Sequence, residues 1–330
     1  MWRLPCGSAM DLGSHRWRGV CHKEADSSHR SYFQDSLGTT GGGDYTGVMK
    51  GWRVAAGDTS NLPTTRSLPP SLAPMVSELE LEQAFLVTTD ELTRISRAAG
   101  VESEPKLIAK RLRDRGWLLP THSLGVWEFA PGAHAGPIGQ GHPFREVNAA
   151  LLAQPELDAA VCLASTLWAH QLLDRAPELP EVALPVGSSI PQGLARSSRV
   201  VRFDRQLPAA MLRGTPVHRP ATILAHLATR PADVASWGAI LDVLPDLIAT
   251  IDEAELRQEL SCRPAAVRTR LAYLIHGVAP DLAIDLAESG HGKVWFGPRG
   301  PLKRHHSGFD VADTILPVSP ALLAPSRSER

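Results

Sequence analysis

The sequence predicts an α+β protein: a small N-terminal unit of helices closed by a β-hairpin, then a larger mixed α/β region. Three observations carry this prediction. Between Thr88 and Gly116 a capped helical pattern, a short turn and a strongly basic helical pattern follow one another. Two tryptophan-bearing β-type segments come directly after them. From about His142 onward, helical and strand-like segments alternate.

Residues 1–74 are rich in Ser, Gly, Thr and Arg, include Gly41-Gly42-Gly43, and show neither helical nor alternating periodicity, so a disordered extension is expected there. The proline-rich run from Leu62 to Pro74 gives way to a clean amphipathic pattern at Met75, and translation is expected to start at that methionine. Leu79, Leu81, Phe85 and Leu86 then fit a short first helix, with Val87 opening a turn. Thr88 with Glu91 three residues on has the form of a capping box. Leu92, Ile95 and Ala99 follow at helical spacing, and Gly100 supplies the stop. Val101 and Glu102 make the connection, Ser103 is placed to cap, and Pro105 suits a first turn. Ile108 and Leu112 mark the buried side of a third helix that ends at Gly116. Trp117–Pro120 and Val126–Ala130 read as two strands around a loop that contains Thr121, His122, Ser123 and Gly125. Three helices and a hairpin in this order predict a winged helix-turn-helix over residues 75–140.

The remainder, residues 141–325, reads as a single mixed domain before a solvated tail at 326–330. Helices are expected at 144–152, 163–173, 220–228, 237–251, 254–260, 265–276 and 280–288, and strands at 182–186, 199–203, 216–219, 293–296 and 312–317. Trp168, Trp237 and Trp295 have apolar neighbours and are expected in the core.

Bulk properties narrow the function. A chain of 330 residues, 43% hydrophobic, has material for two modest domains. It has no uninterrupted apolar run of membrane-span length and no apolar leader of the secretory type, so no membrane association and a cytoplasmic location are expected. Cys6, Cys21, Cys162 and Cys262 form no Cys-x-x-Cys pair and read as ordinary thiols. A net charge of −1 argues against indiscriminate coating of nucleic acid, so DNA binding here has to be local.

The local feature is the third helix. It carries Lys106, Lys110, Arg111, Arg113 and Arg115 against the single acid Asp114. Lys106, Lys110 and Arg113 fall at i, i+4 and i+7 and share one face, while Ile108 and Leu112 point to the core. In a helix-turn-helix this helix lies in the major groove, where Lys and Arg meet guanine edges and other cations hold phosphates. Arg111 and Arg115, turned off that face, suit backbone contacts. His122 and Ser123 would stand at the wing tip, within reach of a neighbouring phosphate or the minor groove.

Enzyme-like patterns do not assemble into sites. Glu104-Pro105-Lys106 has the Glu-x-Lys form of many metal-dependent nucleases, but it opens a helix without a preceding strand carboxylate. Gly187-Ser188 follows an apolar strand, yet no Asp-x-Asp or Asp-x-Glu pair follows to hold magnesium. His305-His306 reads as a solvated loop, and His170, His218, His226 and His276 as core or boundary residues. Ser165 lacks a nucleophile elbow. No catalytic residue, cofactor or metal is expected.

Three stretches resemble AbiEi-family proteins, the antitoxin components of bacterial type IV toxin–antitoxin systems. They are Arg115-Gly116-Trp117-Leu118 through Val126-Trp127-Glu128-Phe129-Ala130-Pro131-Gly132; Leu163-Ala164-Ser165-Thr166-Leu167-Trp168 through Leu172-Leu173-Asp174-Arg175; and Leu224-Ala225-His226-Leu227-Ala228-Thr229-Arg230-Pro231. The similarity runs over roughly residues 87–323. It implies a winged helix that represses its own operon at inverted repeats, and a C-terminal domain that counteracts a nucleotidyltransferase-like toxin encoded beside it. It also places Lys106, Lys110, Arg111 and Arg113 in the family's recognition helix.

The expectation is a non-enzymatic, DNA-binding antitoxin and autorepressor, binding as two copies on paired half-sites of operator DNA. Its rivals are a winged-helix transcription factor that senses a small molecule and a DNA-targeted nuclease.

Overall fold

Capping geometry, apolar spacing and strand register account for most of the elements in the computed structural model, which describes residues 66–134, 136–287 and 292–324. The N-terminal unit runs α1 (Ala73–Leu81), β1 (Leu86–Thr88), α2 (Thr89–Ala98), α3 (Pro105–Arg113), β2 (Leu118–Pro120) and β3 (Val126–Phe129). Its three strands form an antiparallel sheet in the order β1-β3-β2. Leu72, Met75, Leu79, Leu92, Ile95, Ile108, Leu112, Leu118 and Phe129 make its core. The capping box of α2 is present on both sides: the Glu91 amide donates to Thr88 Oγ1 (3.1 Å) and the Thr88 amide to Glu91 Oε2 (2.6 Å).

Two expectations for this unit need correction. Leu86 and Val87 do not end a helix and open a turn. Gln83, at φ 51°, stops the chain after α1, and Leu86–Thr88 becomes a strand paired with Val126–Glu128. Nor are residues 66–74 an extension. Leu72 is buried in the core, and the Arg66 guanidinium donates to the carbonyls of Gly116 (3.0 Å), Ala130 (2.9 Å) and Pro131 (2.7 Å) while lying 4.7 Å from the Trp117 ring centre. Trp117 Nε1 in turn donates to the Ser67 carbonyl at 2.9 Å. Met75 therefore sits inside α1, fully buried, after a segment that belongs to the fold. The rest of the expected extension, residues 1–65, lies outside the described residues. Replacing Arg66 with Ala leaves three partly buried carbonyls short of a charged donor, and a loss of about 2 kcal/mol in urea denaturation is expected.

The larger region is mixed α and β. It runs α4 (Arg145–Ala153), β4 (Ala160–Val161), α5 (Leu163–Ala169), β5 (Glu181–Leu184), α6 (Gln192–Ser197), β6 (Arg199–Arg202), β7 (Ala210–Leu212), β8 (Thr215–Val217), α7 (Pro220–Thr229), α8 (Trp237–Ala249), α9 (Glu253–Leu260), α10 (Ala265–Ile275), α11 (Pro280–Leu286), β9 (Val294–Phe296), β10 (Arg304–His306) and β11 (Val311–Asp313). A five-stranded sheet, β6-β5-β4-β8-β7, divides the core. Alternation along β5 decides which side each residue serves: Val182 and Leu184 join Phe144 just before α4, Val147 of α4 and Leu194 of α6 on one face, and Ala183 faces the larger cluster built around α7. Every residue of α7 from Ala221 to Ala228 is buried, so this helix is the centre of the larger cluster. A second sheet, β10-β11-β9, closes the C-terminal end.

Here too the sequence reading needs amendment. The short β4 and β7 and the helix α6 are not among the expected elements. His305 and His306 lie on β10 instead of a solvated loop: His305 is exposed, whereas His306 stacks on Phe309 with ring centres 4.9 Å apart and meets His276 at 4.7 Å. Trp237 is in the core, but Trp168 and Trp295 are only half-buried.

Candidate nucleic-acid interface

The basic helix α3 starts with Pro105 at its first position, and the residue flanking it is Glu104, not Ser103 as the sequence suggests. Glu104 is extended (φ −60°, ψ 132°), the backbone that a residue before proline favours, and its side chain makes no capping bond. Val101 donates back to the Ser96 carbonyl at 2.8 Å, which folds the α2–α3 connection tightly. At the other end Gly116 takes φ 72°, and Trp117 donates to the Leu112 carbonyl at 2.9 Å, turning the chain directly into β2. The helix therefore has little freedom relative to the hairpin that follows it.

Along α3 the division between core and solvent is sharp. Ile108, Ala109 and Leu112 are buried; Lys106, Lys110, Arg111 and Arg113 are exposed. Arg113 has only a 3.4 Å contact with its neighbour Asp114, where both side chains are about half exposed, a pairing that water largely screens. Lys106, Lys110 and Arg111 have no ion-pair partner among the described residues. Half-buried Arg115 donates to the Arg111 carbonyl at 3.1 Å and so extends the basic surface past the helix end. Basic side chains in a last turn also favour the helix dipole, which is reason enough for one or two of them. Lys106 is in the first turn, where the dipole disfavours a cation, so the basic character exceeds what helix stability asks for.

The hairpin loop is placed otherwise than the wing-tip expectation for His122 and Ser123. Both residues are half-buried. Glu146 of α4 accepts from the His122 amide at 2.8 Å and lies 3.2 Å from His122 Nδ1. Gly193 of α6 packs so near that a Cβ there would stand 3.0 Å from Ser123 Oγ. The tip that remains free is Leu124, almost wholly exposed. The loop is thus docked on the larger region through the His122 backbone amide and the close approach of Gly193, while Thr121 Oγ1 donates within the loop to the Val126 carbonyl at 2.7 Å. A helix acid 24 residues away in sequence gives no local signal from which this docking is readable.

Behind the loop, a chain of charged groups joins hairpin to α4. Glu128 on β3, only 1% exposed, accepts from the Gln140 amide (2.6 Å) and from Arg145 Nη1 (2.8 Å), and Arg145 also bonds Glu146 at 2.6 Å. Burial lowers the Arg145 pKa, but the two carboxylates outweigh it and hold the guanidinium charged. The covalent connection passes over the same point, where a Cβ at Gly139 would fall on the Glu128 carboxylate.

Among the described residues no group of three or more His, Cys, Asp or Glu is placed to hold a metal ion. The remaining enzyme-like patterns are structurally engaged: Ser165 Oγ accepts from the Glu181 amide, and Glu181 returns the favour by capping α5 at Ala164 (2.7 Å). Ser188 Oγ sits between the Pro185 carbonyl and Arg202. His218 and His226 are both fully buried, their rings 5.6 Å apart, and no ring nitrogen of either has a hydrogen-bond partner among the described residues. Burial pushes both pKa values down; nearby Arg263 acts in the same direction, while Asp233 opposes it at His226. Burial thus disfavours the charged form of both rings, more strongly at His218 than at His226, whose Nε2 lies 3.7 Å from Asp233. Because the unfolded chain takes up these protons near pH 6.5 and the folded one does not, stability is full above that pH. It falls as pH drops below it, by on the order of 1 kcal/mol per pH unit for a ring until that ring's folded-state pKa is reached, so His218, the more strongly lowered, contributes the larger part. Urea midpoints between pH 7.5 and 5 should show this decline, and a His218→Leu variant should flatten it.

Residues 159–277 match the family model of the AbiEi antitoxin C-terminal domain. These residues carry an AbiEi domain. It spans the five-stranded sheet from β4 to β8 and the helices α5 to α10. Among solved structures, the RV2827C protein of Mycobacterium tuberculosis is similar with a TM-score of 0.66 and 25% identity, over 77% of this chain and 94% of that one. That likeness extends over more of the chain than the AbiEi domain alone. A comparison with curated proteins found no match. No helix among the described residues is long and apolar enough to cross a membrane.

Proposed function

We propose that this protein is a DNA-binding antitoxin and autorepressor: residues 75–140, with the Arg66 segment, act as a winged helix-turn-helix, and the AbiEi domain counteracts a cognate nucleotidyltransferase-like toxin. The observation that carries the DNA-binding part is the set of exposed, unneutralised cations on α3, held behind a tight turn and in front of a docked hairpin. The AbiEi domain match supports the antitoxin part. In this reading Lys106, Lys110 and Arg113 enter the major groove of operator DNA, and Arg111 and Arg115 hold phosphates. His122 and Ser123 position the hairpin. Two copies bind the two halves of an inverted repeat. No catalytic residue or cofactor takes part.

The test is a gel shift on DNA upstream of the protein's own operon, with Lys106→Ala/Lys110→Ala/Arg113→Ala beside the wild type. Selective binding by the wild type alone is expected, and the variant's log–log salt slope should be shallower by about 0.9 for each phosphate contact removed. Equal binding by both proteins, or by neither, would reduce α3 to a charged surface. Co-expression of the AbiEi domain's full chain with the neighbouring toxin should restore growth, and the triple variant should keep that rescue.

A further inference from the structure

A cavity of about 550 Å³ lies where the segment leading into α4, the end of α5 and the β7–β8 turn meet. This is within the ~300–1,000 Å³ range of clefts that hold small molecules. Its wall is aromatic: Phe144 and Trp168 stand edge to face with ring centres 5.7 Å apart, and Trp168 remains half-exposed. Its rim carries Arg213 and Asp174, both exposed and neither ion-paired among the described residues. His170 also lines it. Its Nε2 faces the His218 carbonyl at 3.0 Å, which can only accept, so in the neutral ring Nδ1 is left as an acceptor.

The backbone supports a built site. Gln171 (φ 63°) and Arg213 (φ 49°) both line this cavity in a left-handed conformation; that of Gln171 ends α5, with the Leu172 amide donating back to the Leu167 carbonyl at 2.9 Å, whereas that of Arg213 lies in a turn. Arg213-Gly214 is the two-residue turn between Leu212 and Thr215, with positive φ at both residues. Asn or Gly would hold that turn with less strain, so the arginine serves something other than the turn.

We infer that this cavity binds a nucleoside monophosphate: the base lies against Trp168 and Phe144, its N–H groups meet Asp174 and His170, and the phosphate meets Arg213. An aromatic wall, acceptors and one unpaired cation are the chemistry such a ligand needs. The site is separate from α3 and stands whether or not α3 binds DNA.

Calorimetric titration of the full chain with AMP, GMP and adenosine tests it. AMP or GMP should bind in the micromolar to low millimolar range, and adenosine at least tenfold more weakly. The key variant is Arg213→Asn, which suits the turn and should keep or raise the melting temperature; it should lose at least tenfold in nucleotide affinity and leave adenosine unchanged. Asp174→Asn should weaken all three ligands. Absence of binding by both nucleotides, or equal binding by Arg213→Asn, would overturn the assignment.

Discussion

An Arg145→Ala variant is expected to lose about 3–5 kcal/mol of stability, because it leaves Glu128 charged and buried with its main partner gone. Among the described residues the backbone amide of Gln140 is the only other donor to that carboxylate, and one neutral hydrogen bond does not replace a guanidinium. Glu146 would lose a partner as well, and with it the grip on the His122 amide. Urea denaturation gives the magnitude. The companion variant Arg145→Ala/Glu128→Gln separates the causes: removing the stranded charge should recover more than half of the loss. A cost below about 1 kcal/mol for Arg145→Ala would mean that water reaches Glu128 and that the pair is a surface bridge.

The second large effect is expected at Glu259 on α9, which has no exposed surface. Its carboxylate accepts from the amides of Gln206 (3.1 Å) and Leu207 (3.0 Å), from Thr222 Oγ1 (3.2 Å) and from Arg263 (2.8 Å). Arg263 lies in turn 4.3 Å from the ring centre of Phe203, which stacks on His226. Glu259→Ala strips four donors at once and opens a void between α7 and the loop after β6. About 4 kcal/mol is expected, with folding at 37 °C at risk. Glu259→Gln keeps one acceptor oxygen and should cost about half as much. Equal losses for the two variants would show that charge, not acceptor count, is what this position supplies.

Local chemistry was legible in the sequence; contacts between distant segments were not. The Thr88–Glu91 box, the glycine stops and the two faces of α3 depend on residues within one or two turns of each other, and spacing alone describes them. Arg66 could not be read this way, since its partners lie 50 to 68 residues further on. The strand Leu86–Thr88 is three residues long, too short for alternation to tell it from a helix end. On β10, Arg304, His305 and His306 look like a solvated loop because only pairing with β11 makes them a strand. One signal was present and unused: in Val126-Trp127-Glu128-Phe129, strand parity puts Glu128 on the same face as buried Val126, and an acid there demands a cation from elsewhere.

The Arg66 clasp bears on how this protein should be made in the laboratory. A version begun at Met75 removes the first residues of α1, the buried Leu72 and the guanidinium that ties the end of α3 to the base of the hairpin. Such a shortened version would present the same basic helix on a loosened frame, and weak DNA retention by it would report on the truncation and not on α3. Expression boundaries drawn upstream of Arg66 keep that frame intact.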